Sequence, residues 1–270
     1  MKFAKDPTEA LRAARHELEA SLEENLLGLR SSTGESFDDF VHETRRCLQR
    51  FRAILRCYRP EIKRKEFSRL DDIIANAART LSPIRDLAVM IGGLELFKAF
   101  FREDFETGDL RNILDRLRQQ LLAERQLEVD RFAEQHGVTR LLRTLRSVFK
   151  RVDEVTEPIT LSEKSLQQVI RKARYAIRCA ETLVQKEPTP VTLHELRKKV
   201  KRLRYILDYL PLKGTSYERN KLKQRSEILG QWRDVYLLGT AIERFANEGE
   251  PDFQILQSYV MRLLSQLQSV

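Results

Sequence analysis

The chain has 270 residues, of which 41% are hydrophobic and 33% charged, with 10 glycines, 8 prolines and a formal net charge of +9. That is enough apolar material for a sizeable core and too little turn chemistry for a strand-rich protein, so a chain dominated by Leu, Ala, Glu, Arg, Gln and Lys reads as all-helical. The positive charge points to an anionic partner such as nucleic acid, an acidic membrane surface or a phosphate polymer. Cys47, Cys57 and Cys179 are odd in number, sit in helical patterns and lack metal-ligand spacing, which predicts a reduced cytosolic chain without disulfide or metal. The start, MKFAKDPTEA, has no apolar core of a signal peptide. The run Leu87 to Phe97 is interrupted by two glycines and Glu95, so no membrane span is expected.

In chain order, Asp6-Pro7-Thr8-Glu9 predicts a capped helix start and an amphipathic run to about Leu29. Ser31 to Glu35 reads as a loop, and Ser36-x-x-Asp39 resembles a capping box opening a second helix that Pro60 ends. A third helix from near Glu61 carries Leu70, Ile73, Ile74, Ala77 and Leu81 on one side; Ser82-Pro83 breaks or kinks it before a helix to about Phe101. Gly108-Asp109 predicts the cap of a long helix ending at Gln135-His136-Gly137, with the glycine in the left-handed position. A helix over about Thr139 to Val155 follows, then a break at Glu157-Pro158, then Thr160-x-x-Glu163 as the capping box of a helix to Lys186. Pro188-Thr189-Pro190 is a stiff linker into a helix ended by Pro211. Helices at about Tyr217 to Leu229, Gln231 to Asn247 and Asp252 to Gln268 complete the chain, with Gly230, Gly249 and Pro251 as punctuation.

Two of these helices are versions of one another. VHETRRCLQRFRAILRCY, Val41 to Tyr58, returns as LHELRKKVKRLRYILDYL, Leu193 to Leu210, with His42 aligned on His194 at an offset of 152. At about 100° per residue, Val41, Thr44, Leu48, Phe51, Leu55 and Tyr58 form one apolar seam, as do Leu193, Leu196, Val200, Leu203, Leu207 and Leu210. A second stripe is cationic: His42, Arg45, Arg46, Gln49 and Arg52 on one copy, and His194, Arg197, Lys198, Lys201, Arg204 and Tyr205 on the other. The Arg85-Asp86 and Arg233-Asp234 pairs repeat at an offset of 148. An internal duplication of a four-helix unit is therefore expected, with bundles over about 7–156 and 160–268 of a single 1–270 domain and the cationic edges facing each other.

The doubled His-x-x-Arg-x-x-x-Gln/Lys-Arg-x-Arg helix, each copy followed by an Arg-Asp helix, resembles the CHAD domain, the conserved-histidine α-helical domain. The resemblance covers essentially the whole chain. It implies two pseudo-twofold-related four-helix bundles and a basic channel that binds inorganic polyphosphate, with many members associated with polyphosphate granules. Carried over by position, it implies that His42, Arg45, Arg50 and Arg52, with His194, Arg197, Lys201, Arg202 and Arg204, supply or position binding groups, and Tyr205 matches the second-half motif KRLRY. Gln49 stands where the pattern has a cation and Thr44 where it has an aliphatic residue, so the 194–205 wall is expected to bind anions more strongly than the 42–52 wall.

The residues themselves fit that chemistry. A phosphate polymer offers charge and oxygen acceptors but no base edges; Arg answers with bidentate hydrogen bonds, Lys with a mobile point charge and His with a pH-dependent donor. The expected polyphosphate-contacting set adds Arg46, Gln49, Lys198 and, along a further helix, Arg171 and Arg174, which together with Arg178 read equally as an exposed face. Arg85, Asp86, Arg233 and Asp234 either orient a neighbouring histidine or arginine or form helix-end ion pairs. His16 and His136 read as structural and Trp232 as core. No HExxH zinc helix, di-iron ExxH pair, phosphate loop or Gly-x-Ser-x-Gly elbow occurs, nor the Glu-x-Glu-x-Lys strand of triphosphate tunnel enzymes. A non-catalytic cytoplasmic binding module is expected, with no cofactor. Nucleic-acid binding is disfavoured by the scarcity of aromatics along the stripes, and a polyphosphate-cleaving phosphohydrolase is the remaining alternative.

Overall fold

The computed structural model describes residues 3, 6–100, 108–247, 256–258 and 260–261. Among them are nine named α-helices: α1 (Pro7–Ser31), α2 (Gly34–Cys57), α3 (Arg64–Thr80), α4 (Ser82–Phe100), α5 (Gly108–Glu134), α6 (Gly137–Thr156), α7 (Glu163–Lys186), α8 (Pro190–Tyr209) and α9 (Ser216–Asn247). No strand occurs among the described residues beyond an isolated bridge between Phe3 and Leu212. The all-α expectation holds. None of the described helices is long and apolar enough to cross a membrane.

Local chemistry explains most boundaries. Asp6 caps α1 by accepting from the Thr8 amide at 2.8 Å, with Pro7 in the first turn. Thr189 caps α8 through a capping box with Thr192, again followed by proline. Five expectations are corrected. Helix α2 begins at Gly34 behind Thr33, before the proposed Ser36 box, and α3 begins at Arg64 rather than near Glu61. The cap of α7 is Ser162, whose hydroxyl accepts from the Ser165 amide at 3.0 Å, in place of Thr160. At the α5–α6 junction the left-handed residue is His136 (φ 51°), while Gly137 enters the next helix; histidine tolerates that conformation better than most side chains. Finally, α9 runs unbroken through Gly230, because one glycine inside a long helix costs only about 1 kcal/mol, less than burying its neighbours Leu229 and Trp232 returns. The expected helix at Asp252 to Gln268 falls mostly outside the described residues.

The helices form two compact units, Met1–Leu81 with His136–Ser226, and Ser82–Gln135 with Glu227–Val270. Each draws on both halves of the sequence. The reason is visible in the second unit. Leu87 and Leu94 of α4 and Leu114, Leu117 and Leu121 of α5 find their burial partners in Leu238 and Ile242 of α9 and in Leu256 and Val260. A Cβ at Gly239 would stand 2.8 Å from Val260 Cγ1, so glycine allows that approach. In the first unit, α1, α2, α3 and α6 close a ring of neighbours, α7 packs on α8, and α8 packs on α2.

Helices α2 and α8, which carry the two matching sequence stretches, thus lie in the same unit and touch. Their seams are where the period placed them: Val41, Thr44, Leu48, Phe51, Leu55 and Tyr58 are all buried, as are Leu196, Val200, Leu203, Leu207 and Leu210, with Leu193 half-buried. Arg15, invisible as a core residue in the sequence, is 1% exposed. Its guanidinium donates to Thr156 Oγ1 at 2.6 Å and pairs with Asp153 at 2.6 Å, fastening α1 to α6. Cys47 and Cys57 are buried thiols and Cys179 is exposed, none in a disulfide. Leu48→Ala is expected to lower stability by about 2–5 kcal/mol in urea denaturation, whereas Leu183→Ala, at an exposed position of α7, should stay within about 0.5 kcal/mol.

Candidate functional site

Where α2 meets α8, each helix presents the cationic stripe that flanks its buried seam. The structure sorts the expected binding residues into two groups. The first surrounds Tyr205, a buried side chain of α8. Lys201 Nζ lies 5.6 Å from the centre of its ring, Arg204 at 5.7 Å, and Arg50 reaches across from α2 to 5.9 Å. Such contacts contribute roughly 0.5–2 kcal/mol each, and here they give several cations a common floor.

Lys201 is the electrostatic centre of this group. Burial, then repulsion from Arg197 and Arg204 on its own helix and from Arg45 and Arg46 on α2, pulls its ammonium down from the usual lysine range to about 7. The two stripes therefore do meet, and they are felt at one nitrogen. Burial also pushes the Tyr205 hydroxyl up, against the pull of Arg204, Arg50, Arg46 and Arg197, which keeps it a neutral donor. Arg45 is braced by donating to the Ala78 carbonyl of α3, and Arg46 by Glu43 at 2.7 Å.

The second group is organised by a carboxylate the sequence did not flag. Asp71 of α3 accepts two hydrogen bonds from Arg52, at 2.8 and 2.7 Å, and two from Arg56, at 3.0 and 3.2 Å. Arg56 continues the stripe one turn past Arg52, which was the available signal. Burial lowers the Arg56 guanidinium to about 9; Asp71 opposes the shift while Arg202, Arg52 and Arg59 add to it. Arg202 is lowered for the same reasons, burial first, then Asp71 against Arg52 and Arg59. The aligned pair Arg50 and Arg202 thus works reciprocally, Arg50 of α2 reaching Tyr205 and Arg202 of α8 reaching the Asp71 group.

The remaining expected residues lie outside both groups. Lys198 is paired with Glu195 at 2.5 Å on the outer side of α8. His42 is 44% exposed with Glu43 at 3.9 Å, and His194 is half-buried beside Glu195. Gln49 is half-buried on α2 and Arg171 exposed on α7. Arg174 is held by Glu218 through bonds of 2.8 and 2.6 Å, a helix-to-helix clamp rather than a free anion donor. Arg85, Asp86, Arg233 and Asp234 belong to the second unit; there Asp86 lines a cavity of about 540 Å³ with Arg131 and Arg244, and Arg233 stacks over Tyr236 at 5.9 Å. Trp232 is buried, as expected, and stacks on Tyr236 with ring centres 5.4 Å apart. Among the described residues one trio has metal-ligand proximity, His16, Glu19 and Asp153, and it surrounds the Arg15 guanidinium, which already supplies the cation.

Burial by itself would raise the Asp71 carboxyl, but the Arg52 hydrogen bonds and the charges of Arg56, Arg52 and Arg202 outweigh it and hold it below the usual range. A depressed carboxylate contributes stability that is complete above the unfolded value, near 3.9, and lost as pH falls through the folded one. Asp71→Asn should therefore cost about 3 kcal/mol at neutral pH, and the gap from the parent should close below about pH 4 in urea denaturation. A gap that stays constant with pH would refute this account of the cluster.

Comparison with known proteins follows the same lines. A search of curated proteins finds no match. The chain is similar in fold to a solved structure described as the crystal structure of the CHAD domain from the plant Ricinus communis, with a TM-score of 0.71 and 17% identity over 100% of this chain and 91% of that one. A family model described as CHAD domain matches residues 9–243. With that match spanning most of its length, the chain belongs to the CHAD domain family.

Proposed function

We propose that this protein binds inorganic polyphosphate without catalysis, gripping the polymer along the cationic face shared by α2 and α8. The observation that carries this reading is the Lys201–Tyr205 cluster, in which Arg45, Arg46, Arg50, Arg197 and Arg204 converge from two helices on one buried amine and one buried ring. Like charges held this close are repelled until an anion arrives, and a chain of phosphates relieves several of them at once. The reading includes α2 and α8 as equivalent helices of two duplicated four-helix bundles forming opposite walls of a basic channel. It also places the protein in the cytoplasm, associated with polyphosphate granules. The α8 wall contributes more. Arg52 is neutralised by Asp71, while its aligned partner Arg204 pairs more loosely, with Asp208 at 3.8 Å, and Gln49 stands at the position aligned with Lys201.

Affinity should rise with polymer length, because each added phosphate engages further cations, and fall as salt rises. In titrations with polyphosphates of defined length, Lys201→Ala and Arg204→Ala should each weaken binding about tenfold, the loss of one charge-assisted hydrogen bond. Single-stranded DNA of equal charge should compete poorly. Equal affinity for DNA, with no effect of either substitution, would sink the reading; phosphate release would instead favour a polyphosphate-cleaving enzyme.

The amine at Lys201 adds a pH signature. A polyanion binds the ammonium form better, so binding should be strongest below about pH 7 and decline as the amine loses its proton above it. Lys201→Arg stays charged throughout and should flatten the profile between pH 7 and pH 9. An unchanged slope in that variant would show that Lys201 does not carry the effect.

A further inference from the structure

The Asp71 group borders a cavity of about 630 Å³ in the first unit, lined from α2, α3, α7 and α8. Its charge is unbalanced. Arg56, Arg59, Lys172 and Arg202 line it, and the only carboxylate among its lining residues is Asp71, both of whose oxygens already accept from Arg52 and Arg56. Arg59, Lys172 and Arg202 form no ion pair among the described residues, and the Arg202 guanidinium is lowered by burial first, with Arg52 and Arg59 adding to the shift and Asp71 opposing it. The cavity therefore has capacity for an anion that its own carboxylate does not meet.

The rest of its lining is not what a bare phosphate polymer needs. Pro60, Val169, Ala173 and Ile206 supply apolar surface, the Arg59 guanidinium lies 5.5 Å from the centre of the Phe67 ring, and the exposed Gln168 brings an amide with both donor and acceptor. Cations interleaved with apolar side chains, Lys172 between Val169 and Ala173 along α7 and Arg202 one turn before Ile206 on α8, with an amide beside them, fit a ligand with a phosphate head and a planar body. The volume lies within the range of small-molecule sites, about 300–1,000 Å³. By contrast, the cavity in the second unit balances Asp86, Glu124 and Glu128 against Arg131 and Arg244, and so presents no comparable excess of charge.

We propose that this pocket binds a nucleoside diphosphate or triphosphate, with the phosphates on Arg202, Lys172 and Arg59 and the base against Val169, Ala173 and Ile206. The site shares no lining residue with the Lys201–Tyr205 cluster and does not depend on polyphosphate being the ligand there. Asp71 holds Arg56 in place beside the phosphates rather than contacting them.

The test is calorimetric titration of the intact protein with ADP, with pyrophosphate as the head without the body and adenosine as the body without the head. ADP should bind at least about tenfold more tightly than either, a difference of about 1.4 kcal/mol. Lys172 is exposed on α7 and replaceable without disturbing the core. Lys172→Ala should weaken ADP about fivefold or more and leave long-chain polyphosphate within about twofold, whereas Lys201→Ala should do the reverse. Arg202→Gln should also weaken ADP about fivefold or more, with circular dichroism as a check on folding. Pyrophosphate binding as tightly as ADP, ADP binding untouched by Lys172→Ala, or equal losses of ADP and polymer in both variants would overturn the proposal. If ADP binds with the expected Lys172 dependence while polyphosphate does not bind, this inference stands and the polyphosphate reading falls.

Discussion

Everything about the first unit depends on packing two positively charged helix faces together with too few carboxylates between them. At an effective dielectric constant near 20, two like charges 4 Å apart cost about 4 kcal/mol, and here four arginines act on a single lysine. The seams make this tolerable. Each fully buried leucine, valine or phenylalanine contributes roughly 1.5–3 kcal/mol, and α2 and α8 carry an unbroken row of them immediately beside the charged stripe. Hydrophobic burial holds the helices close, and the charge is left to be satisfied by other means.

Two such means are built in. At one end Asp71 crosses from α3 and takes four hydrogen bonds from Arg52 and Arg56. At the other end the carboxylates stay at the margin, Glu43 taking Arg46 and Asp208 lying 3.8 Å from Arg204. Lys201 moves towards neutrality instead, and the buried face of Tyr205 serves the remaining cations. The first arrangement is a settled ion pair that behaves as structure; the second remains electrostatically hungry. The two helices, so similar in sequence, thus differ in how their charge is met.

What could be read in advance follows the range of the interaction. The 3.6-residue period placed both seams correctly, Val41 to Tyr58 and Leu196 to Leu210, because every contributing residue lies on the same helix as its neighbours. Asp6 was legible for the same reason, since a cap bonds two or three residues ahead, whereas Thr189, read as part of a stiff linker, proves to cap α8. Arg15 and Asp71 were not. Their partners lie 138 residues away in the case of Asp153 and 15–19 in the case of Arg56 and Arg52, and nothing local distinguishes them from surface charges. The left-handed junction shows the limit at short range: glycine was the obvious candidate, but α6 took Gly137 into its buried first turn and left His136 the strained position. Gly230 failed as punctuation because Leu229 and Trp232, buried on either side of it, favour continuing the helix.

The interleaved composition of the two packing units bears on how the chain matures. Helices α1 to α3 belong with segments that begin only at His136, and the core of α4 and α5 is completed by Leu238, Ile242, Leu256 and Val260. During synthesis at about 5–20 residues per second, the apolar seam of α2 has to wait through the whole of α4 and α5 before α6 and α8 can cover it, and α4 and α5 then wait in turn for α9. Neither core can close as the chain emerges. Its folding is of necessity a late event, with exposed apolar stripes on nascent helices that give chaperones a window in which to bind.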